Sequence, residues 1–207
     1  MDGVLVDGEP LHFAALNRLL ADDGFSMTLD EYRPYMGTQA GWREFVAHLG
    51  LPHPPDHYRA RYGELVLAEY RDHSRPLPGA TALVHALRQA GMPLGLCSSS
   101  LREWVDACLE AIGLAGQFDA MTTGDEIQQG KPAPDIYLET ARRLHVPPAT
   151  CLAIEDAPAG IRAAHAAGMT CWAVRTDYTR DLELPGPDRV FDSLLEVDVA
   201  DILGIPA

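Results

Sequence analysis

One stretch constrains the fold more than any other: Cys151-Leu152-Ala153-Ile154-Glu155-Asp156-Ala157-Pro158-Ala159-Gly160-Ile161-Arg162-Ala163-Ala164-His165-Ala166-Ala167-Gly168. A short apolar run ends on two adjacent carboxylates, turns, and becomes an alanine-rich helical pattern stopped by glycine. A buried strand entering a helix has this pattern, and it marks a parallel α/β unit. Carboxylates at the carboxyl end of such a strand stand where open α/β sheets bind ligands. Two neighbouring acids repel one another and are costly to bury, which a bound cation would relieve. The plainer reading makes Asp156 the cap of the helix that begins near Ala157.

The rest of the chain fits around that unit. Pro10 opens a first helix with an apolar stripe of Leu11, Ala15, Leu16, Leu19 and Leu20, closed by Gly24. Thr28-Leu29-Asp30-Glu31 has the form of a capping box and starts a second helix. Trp42, Phe45, Val46 and Leu49 mark a third, ended by Gly50, and residues 56–71 a fourth. Residues 10–74 thus read as helices only. The linker Arg75-Pro76-Leu77-Pro78-Gly79 changes the pattern. Beyond it, helices at 80–90, 101–112, 134–145 and 158–167 alternate with strands around 93–97, 120–123, 151–154 and 170–174. A polar tail ends in a short helix near 194–203. Strands alternating with helices predict a doubly wound parallel sheet, α/β in class.

Composition limits the partners. A chain of 207 residues with 47% hydrophobic content has enough apolar material for a core. The formal charge of −14 argues against nucleic acid and against an anionic membrane surface. A phosphorylated substrate remains compatible, because local charge in a cleft can oppose the net charge. Cys97, Cys108, Cys151 and Cys171 show no Cys-x-x-Cys spacing and are expected to be reduced, structural thiols. With no basic leader and no apolar run near ~18 residues, the expectation is a cytoplasmic, soluble protein, monomeric or weakly dimeric.

Groups distant in sequence can meet at one sheet edge: Asp2-Gly3 at the start, Ser98-Ser99-Ser100 after a strand, Lys131 in a Gly–Pro loop, and Glu155-Asp156. An acid/base, hydroxyls, a cation and paired carboxylates suit phosphoryl transfer, which needs positioning and charge neutralisation above all. A phosphate approaching carboxylates is repelled by roughly 4 kcal/mol per unit pair at ~4 Å with a dielectric near 20. A divalent ion and a lysine are therefore needed, and Mg²⁺ prefers a few carboxylate oxygens with water and phosphate. Taken singly, each piece has a plain alternative: a loop of serines, a surface lysine. His53 and His57 read as surface residues because prolines interrupt the spacing, and Trp42, Trp104 and Trp172 as packing groups.

Four segments in order carry a resemblance: Asp2-Gly3-Val4-Leu5-Val6-Asp7-Gly8-Glu9-Pro10-Leu11-His12, Leu96-Cys97-Ser98-Ser99-Ser100, Gly130-Lys131-Pro132-Ala133-Pro134-Asp135 and Ile154-Glu155-Asp156-Ala157-Pro158-Ala159-Gly160. Together they resemble the haloacid dehalogenase superfamily, in the branch of β-phosphoglucomutase and sugar-phosphate phosphatases. The resemblance implies a Rossmann-like core over residues 1–7 and 79–207 with an inserted α-helical cap over 8–78. It implies Mg²⁺-dependent hydrolysis of a small phosphorylated metabolite through an aspartyl-phosphate. Asp2 resembles the general acid/base, whose carbonyl also meets the metal. Ser98 and Ser99 match the phosphate-binding segment and Lys131 the lysine steadying phosphate and nucleophile. Asp156 matches the metal-binding aspartate, with Glu155 supporting the metal, and His12 a cap-hinge position on the substrate side.

The family's nucleophile is the first aspartate of Asp-x-Asp, two residues before Asp2, and the strand leading into it is the central one. Neither falls within residues 1–207. Asp2 and Asp7 are not placed to substitute for it. The sequence reading favours a start assigned too far downstream over a shortened or a non-catalytic chain, and expects residues 1–207 alone to have little phosphatase activity. A sugar phosphomutase ranks lower, because the cap arginine of mutases has no counterpart near Gly37-Thr38-Gln39-Ala40-Gly41. A non-catalytic phosphate-binding protein is the other alternative.

Overall fold

A computed structural model describes residues 1–35, 41–180 and 182–204. The chain divides into two compact units, Met1–Asp7 with Arg75–Ala207, and Gly8–Ser74.

The Gly8–Ser74 unit is helical: α1 (Glu9–Ala21), α2 (Leu29–Tyr32), α3 (Trp42–Leu49) and α4 (Pro55–His73). Pro10 lies in the first turn of α1, where its missing N–H costs nothing. The buried face of α1, Leu11, Ala15, Leu16, Leu19 and Leu20, packs chiefly on α4, which buries Tyr58, Leu65, Val66 and Tyr70. Glu69 of α4 is buried too, and is held by Arg18 at 2.7 Å and His73 at 2.9 Å. Thr28 and Glu31 form the expected capping box of α2. Gly50 ends α3 at φ +64°.

The other unit is α/β, with α5 (Ala80–Gln89), β1 (Gly95–Ser98), α6 (Arg102–Ala111), β2 (Ala120–Thr123), α7 (Asp135–Leu144), β3 (Leu152–Glu155), α8 (Pro158–Ala166), β4 (Thr170–Val174), β5 (Arg189–Phe191) and α9 (Val199–Leu203). Every ladder is parallel. β1 pairs with β2, Gly95 opposite Ala120, and β3–β4–β5 form a second sheet with Leu152 opposite Thr170 and Trp172 opposite Arg189. The expected α/β class holds, with its strands in two sheets.

Helix α7 ties the two sheets together, packing on β1, β2 and α8. Thr140 donates to Thr122 of β2 at 2.7 Å and accepts from Cys97 of β1 at 3.1 Å. A buried cluster of Ile136, Tyr137, Ala153, Ile161, Ala164 and Cys171 joins α7 and α8 to β3 and β4, and Cys97 packs against it. Ala163 and Ala164 of α8 are small and inaccessible, so the helix lies close on the strands. All four cysteines are free thiols, and burial raises Cys171 to about 12.

Three sequence expectations need correction. The tail carries a third strand of its sheet, β5, which was expected to be irregular. The helix expected near 194–203 is a short turn at Leu194–Glu196 followed by α9. Asp156 does not cap α8, whose N-cap is Ala157 without a side-chain cap hydrogen bond.

Candidate active site

Each candidate group of the α/β unit sits at a strand end or in a loop leaving one. Met1–Val6 makes a tight turn: Leu5 N donates to Met1 O and Gly3 N to Val6 O, both at 2.8 Å. Leu77 N donates to Leu5 O at 2.8 Å, fastening the turn to the linker. Gly3 has φ +71°, a conformation that other residues resist, and its α-carbon lies so close to the Asp156 carboxylate that a methyl group would overlap it. The start of the chain and the end of β3 thus meet backbone to side chain.

The serines of the β1 end connect with the same place. Ser98 is buried and accepts from Ser100 N at 3.2 Å, and Ser100 Oγ donates to Asp2 Oδ2 at 3.1 Å. Ser99 is exposed in the loop between them. Sequence reasoning gave roles to Ser98 and Ser99 and none to Ser100, which contacts Asp2.

Lys131 lies in the loop before α7, with 12% of its side chain exposed, and pairs with Glu155, at 8%. The same Glu155 oxygen, Oε1, accepts from the Tyr137 hydroxyl, and the Lys131 ammonium stands 5.2 Å from the Tyr137 ring centre. Burial is the largest influence and would raise Glu155, but the Lys131 charge together with the hydrogen bonds from Lys131 and Tyr137 leaves the carboxyl below its ordinary range. Burial opposes the charge of Lys131 as well, and Glu155 overrides that to hold the ammonium above its usual value. The Tyr137 phenol is pushed well up, first by burial and then by the Glu155 charge, so it remains a donor. Tyr137 was not singled out in the sequence, where it looks like any apolar-face residue of an amphipathic helix.

At Asp156 the Lys131 charge does not offset burial. Burial first, and then the Glu155 charge, push it from 3.8 to about 7. Asp7 is raised by burial, then by Asp177 and Asp2. Asp2, Ser98, Lys131, Glu155 and Asp156 are therefore drawn together in one unit. His12 belongs to the helical unit, where its Nδ1 is 2.8 Å from the Tyr62 hydroxyl and its Nε2 3.0 Å from that of Tyr70. Residues 37–40, where a mutase arginine was sought, lie outside the described residues.

Among the described residues no three His, Cys, Asp or Glu side chains converge as a closed metal cage. A zinc-type cage is thus not built here. The donors present, carboxylates gathered near a lysine, match an ion that takes one or two carboxylates and fills its shell with water and phosphate. Chemically, an ammonium, hydroxyls and a buried carboxylate at or near the carboxyl ends of parallel strands are the kinds of group that phosphoryl chemistry uses.

The comparisons place that class. A family model for haloacid dehalogenase-like hydrolases matches residues 1–168. The chain is 36% identical over 212 residues to Protein SUPPRESSOR OF QUENCHING 1, chloroplastic, of Arabidopsis thaliana, covering 98% of this chain and 20% of that protein. It spans about a fifth of that relative's length. It is 32% identical over 209 residues to the putative phosphatase YhcW of Bacillus subtilis, covering 98% and 93%. The crystal structure of CbbY from Rhodobacter sphaeroides in complex with phosphate superposes with a TM-score of 0.87 at 30% identity, covering 98% and 96%. A mutant of the same protein was solved with xylulose-(1,5)bisphosphate. The chain belongs to the haloacid dehalogenase-like hydrolases, and among them to the phosphomonoester hydrolases. No helix among the described residues is long and apolar enough to cross a membrane.

Proposed function

We propose that the protein hydrolyses a small phosphorylated metabolite of the sugar-phosphate kind, with Mg²⁺, through an aspartyl-phosphate. The observation that carries this is the buried group of Lys131, Glu155 and Asp156 packed against Gly3 and next to Asp2. The bisphosphorylated sugar held by the CbbY relative supports the substrate class. The nucleophilic carboxylate is assigned to the aspartate expected two positions before Asp2.

In this reading Lys131 binds a phosphoryl oxygen and offsets the repulsion from the acids, roughly 4 kcal/mol per unit pair at ~4 Å with a dielectric near 20. The Ser98–Ser99 segment donates hydrogen bonds to the other oxygens. Asp2, oriented by Ser100, gives a proton to the leaving alcohol and takes one from the attacking water. Asp156 would hold the ion, with help from the Asp2 carbonyl. Glu155 accepts from Lys131 and Tyr137 on Oε1 and would support the ion directly or through water. The ion fits because an acid raised to about 7 by burial gains most from a cation. Bound there, Mg²⁺ supplies neutralisation of phosphoryl charge. The Gly8–Ser74 unit is proposed as the family's cap, carrying His12 as a substrate-side residue.

The test uses a chain extended upstream through the preceding aspartate, incubated with a panel of sugar phosphates and MgCl₂. Free phosphate, lost in Lys131→Met and on chelation, is the expected result. Isomerised sugar phosphate would make the protein a mutase. Binding without turnover would make it a non-catalytic binder.

A further inference from the structure

Glu155 ends β3 almost without solvent contact, yet one of its oxygens serves two donors, the Lys131 ammonium and the Tyr137 hydroxyl. Tyr137 belongs to the first turn of α7 and is 5% exposed. Its ring also faces the lysine, 5.2 Å from ring centre to Nζ. One buried side chain therefore meets Lys131 twice, through its ring and through the carboxylate that they share. A ring needed only to fill the core would do so equally well as phenylalanine, whereas a buried hydroxyl requires a partner. The partner here is the carboxylate that anchors the lysine.

We infer that Tyr137 is a positioning residue: it fixes the Glu155 carboxylate so that the Lys131 ammonium is held towards the phosphoryl group. This rests on the phosphoryl-transfer reading given above. The physical reasons are two. A second donor on Oε1 locks the carboxylate against rotation, so the ammonium that follows it has one location. That donor also takes up part of the carboxylate's charge, leaving Lys131 less completely neutralised and better able to attract an anion. Without the hydroxyl, Oε1 of Glu155, whose carboxylate also rests against Gly160, loses one of its two donors and bears on the lysine with more of its charge.

Inorganic phosphate, titrated calorimetrically into the protein in the presence of MgCl₂, is the probe, with Lys131→Met and Tyr137→Phe as variants. Lys131→Met is expected to abolish measurable binding. Tyr137→Phe is expected to weaken it about tenfold, the equivalent of one charge-assisted hydrogen bond. The Lys131 ammonium resonance in a ¹H–¹⁵N spectrum should broaden in the same variant, a signature that a packing role would not produce. Loss in Lys131→Met with unchanged affinity in Tyr137→Phe overturns the positioning role alone. Unchanged affinity in Lys131→Met overturns the reading of the site and this role with it. Should Tyr137→Phe not fold, the native ammonium resonance decides: a nuclear Overhauser contact to the Tyr137 hydroxyl proton supports the role, and its absence overturns it.

Discussion

Removing the Lys131 side chain tests the electrostatics of the site without any substrate. Both partners of the Lys131–Glu155 pair are nearly withdrawn from water, at 12% and 8% side-chain exposure. Lys131→Met keeps most of the length and apolar volume but strands Glu155 beside Asp156. Breaking a buried pair by deleting one partner costs about 3–5 kcal/mol. In a chain of this size each kcal/mol moves the melting midpoint by about 2–4 °C, so the expected fall is about 6–20 °C. Glu155→Gln should cost less, because Asp156 remains near enough to Lys131 to compensate part of its charge. The double variant Lys131→Met/Glu155→Gln removes both charges of the pair, and its glutamine oxygen can still accept from Tyr137. It is expected to be at least about 2 kcal/mol more stable than the summed single losses, the coupling typical of residues in one network. Calorimetric unfolding of all four proteins without metal provides the measurement. Additive losses, or a Lys131→Met variant within about 0.5 kcal/mol of the parent as surface substitutions are, would refute the buried-pair account.

Three further outcomes follow from the same coordinates. Asp156 titrates near 7 when folded against 3.8 for the free side chain, so the metal-free protein holds this proton more tightly than the unfolded chain does. Its contribution is complete below pH ~4 and lost by pH ~7, at most about 4 kcal/mol for a three-unit shift. The metal-free melting midpoint should therefore fall between those pH values, recover at pH 8 on adding Mg²⁺, and show neither effect in Asp156→Asn. Gly3→Ala forces an alanine to φ +71° and drives its methyl group into Asp156, so a loss exceeding the roughly 1–2 kcal/mol of the backbone conformation is expected, together with weaker Mg²⁺ binding by calorimetry. In the helical unit, the fully buried Tyr58 donates to Asp23, and Tyr58→Phe should cost about 1–3 kcal/mol in urea unfolding by leaving that carboxylate short of a donor.

Much of this architecture is legible in the sequence, for identifiable reasons. The strands at 120–123 and 170–174 fall on short apolar runs bounded by turn residues, and the helices that follow them carry periodic apolar faces. β5 escaped because Arg189 and Val190 are exposed and only Phe191 is buried, so an edge strand of three residues in a proline-rich tail has no periodicity to reveal it. At the site, Lys131, Glu155 and Asp156 were legible because charged residues flanked by strand and loop signals stand out. Tyr137 and Ser100 were not, since their hydroxyls matter only through partners 18 and 98 residues away. One signal for Tyr137 was present all the same: a polar-tipped aromatic on the buried face of α7, where a leucine would pack as well.

The central claim is that Asp156, Lys131 and the serine loop gather one metal ion and one phosphoryl group at a single place. Paramagnetic relaxation of the ³¹P signal of inorganic phosphate, with Mn²⁺ in place of Mg²⁺, reports that proximity directly. The account predicts strong enhancement in the parent protein, abolished in both Asp156→Asn and Lys131→Met. Phosphate binding without enhancement, or enhancement that survives both substitutions, would contradict it.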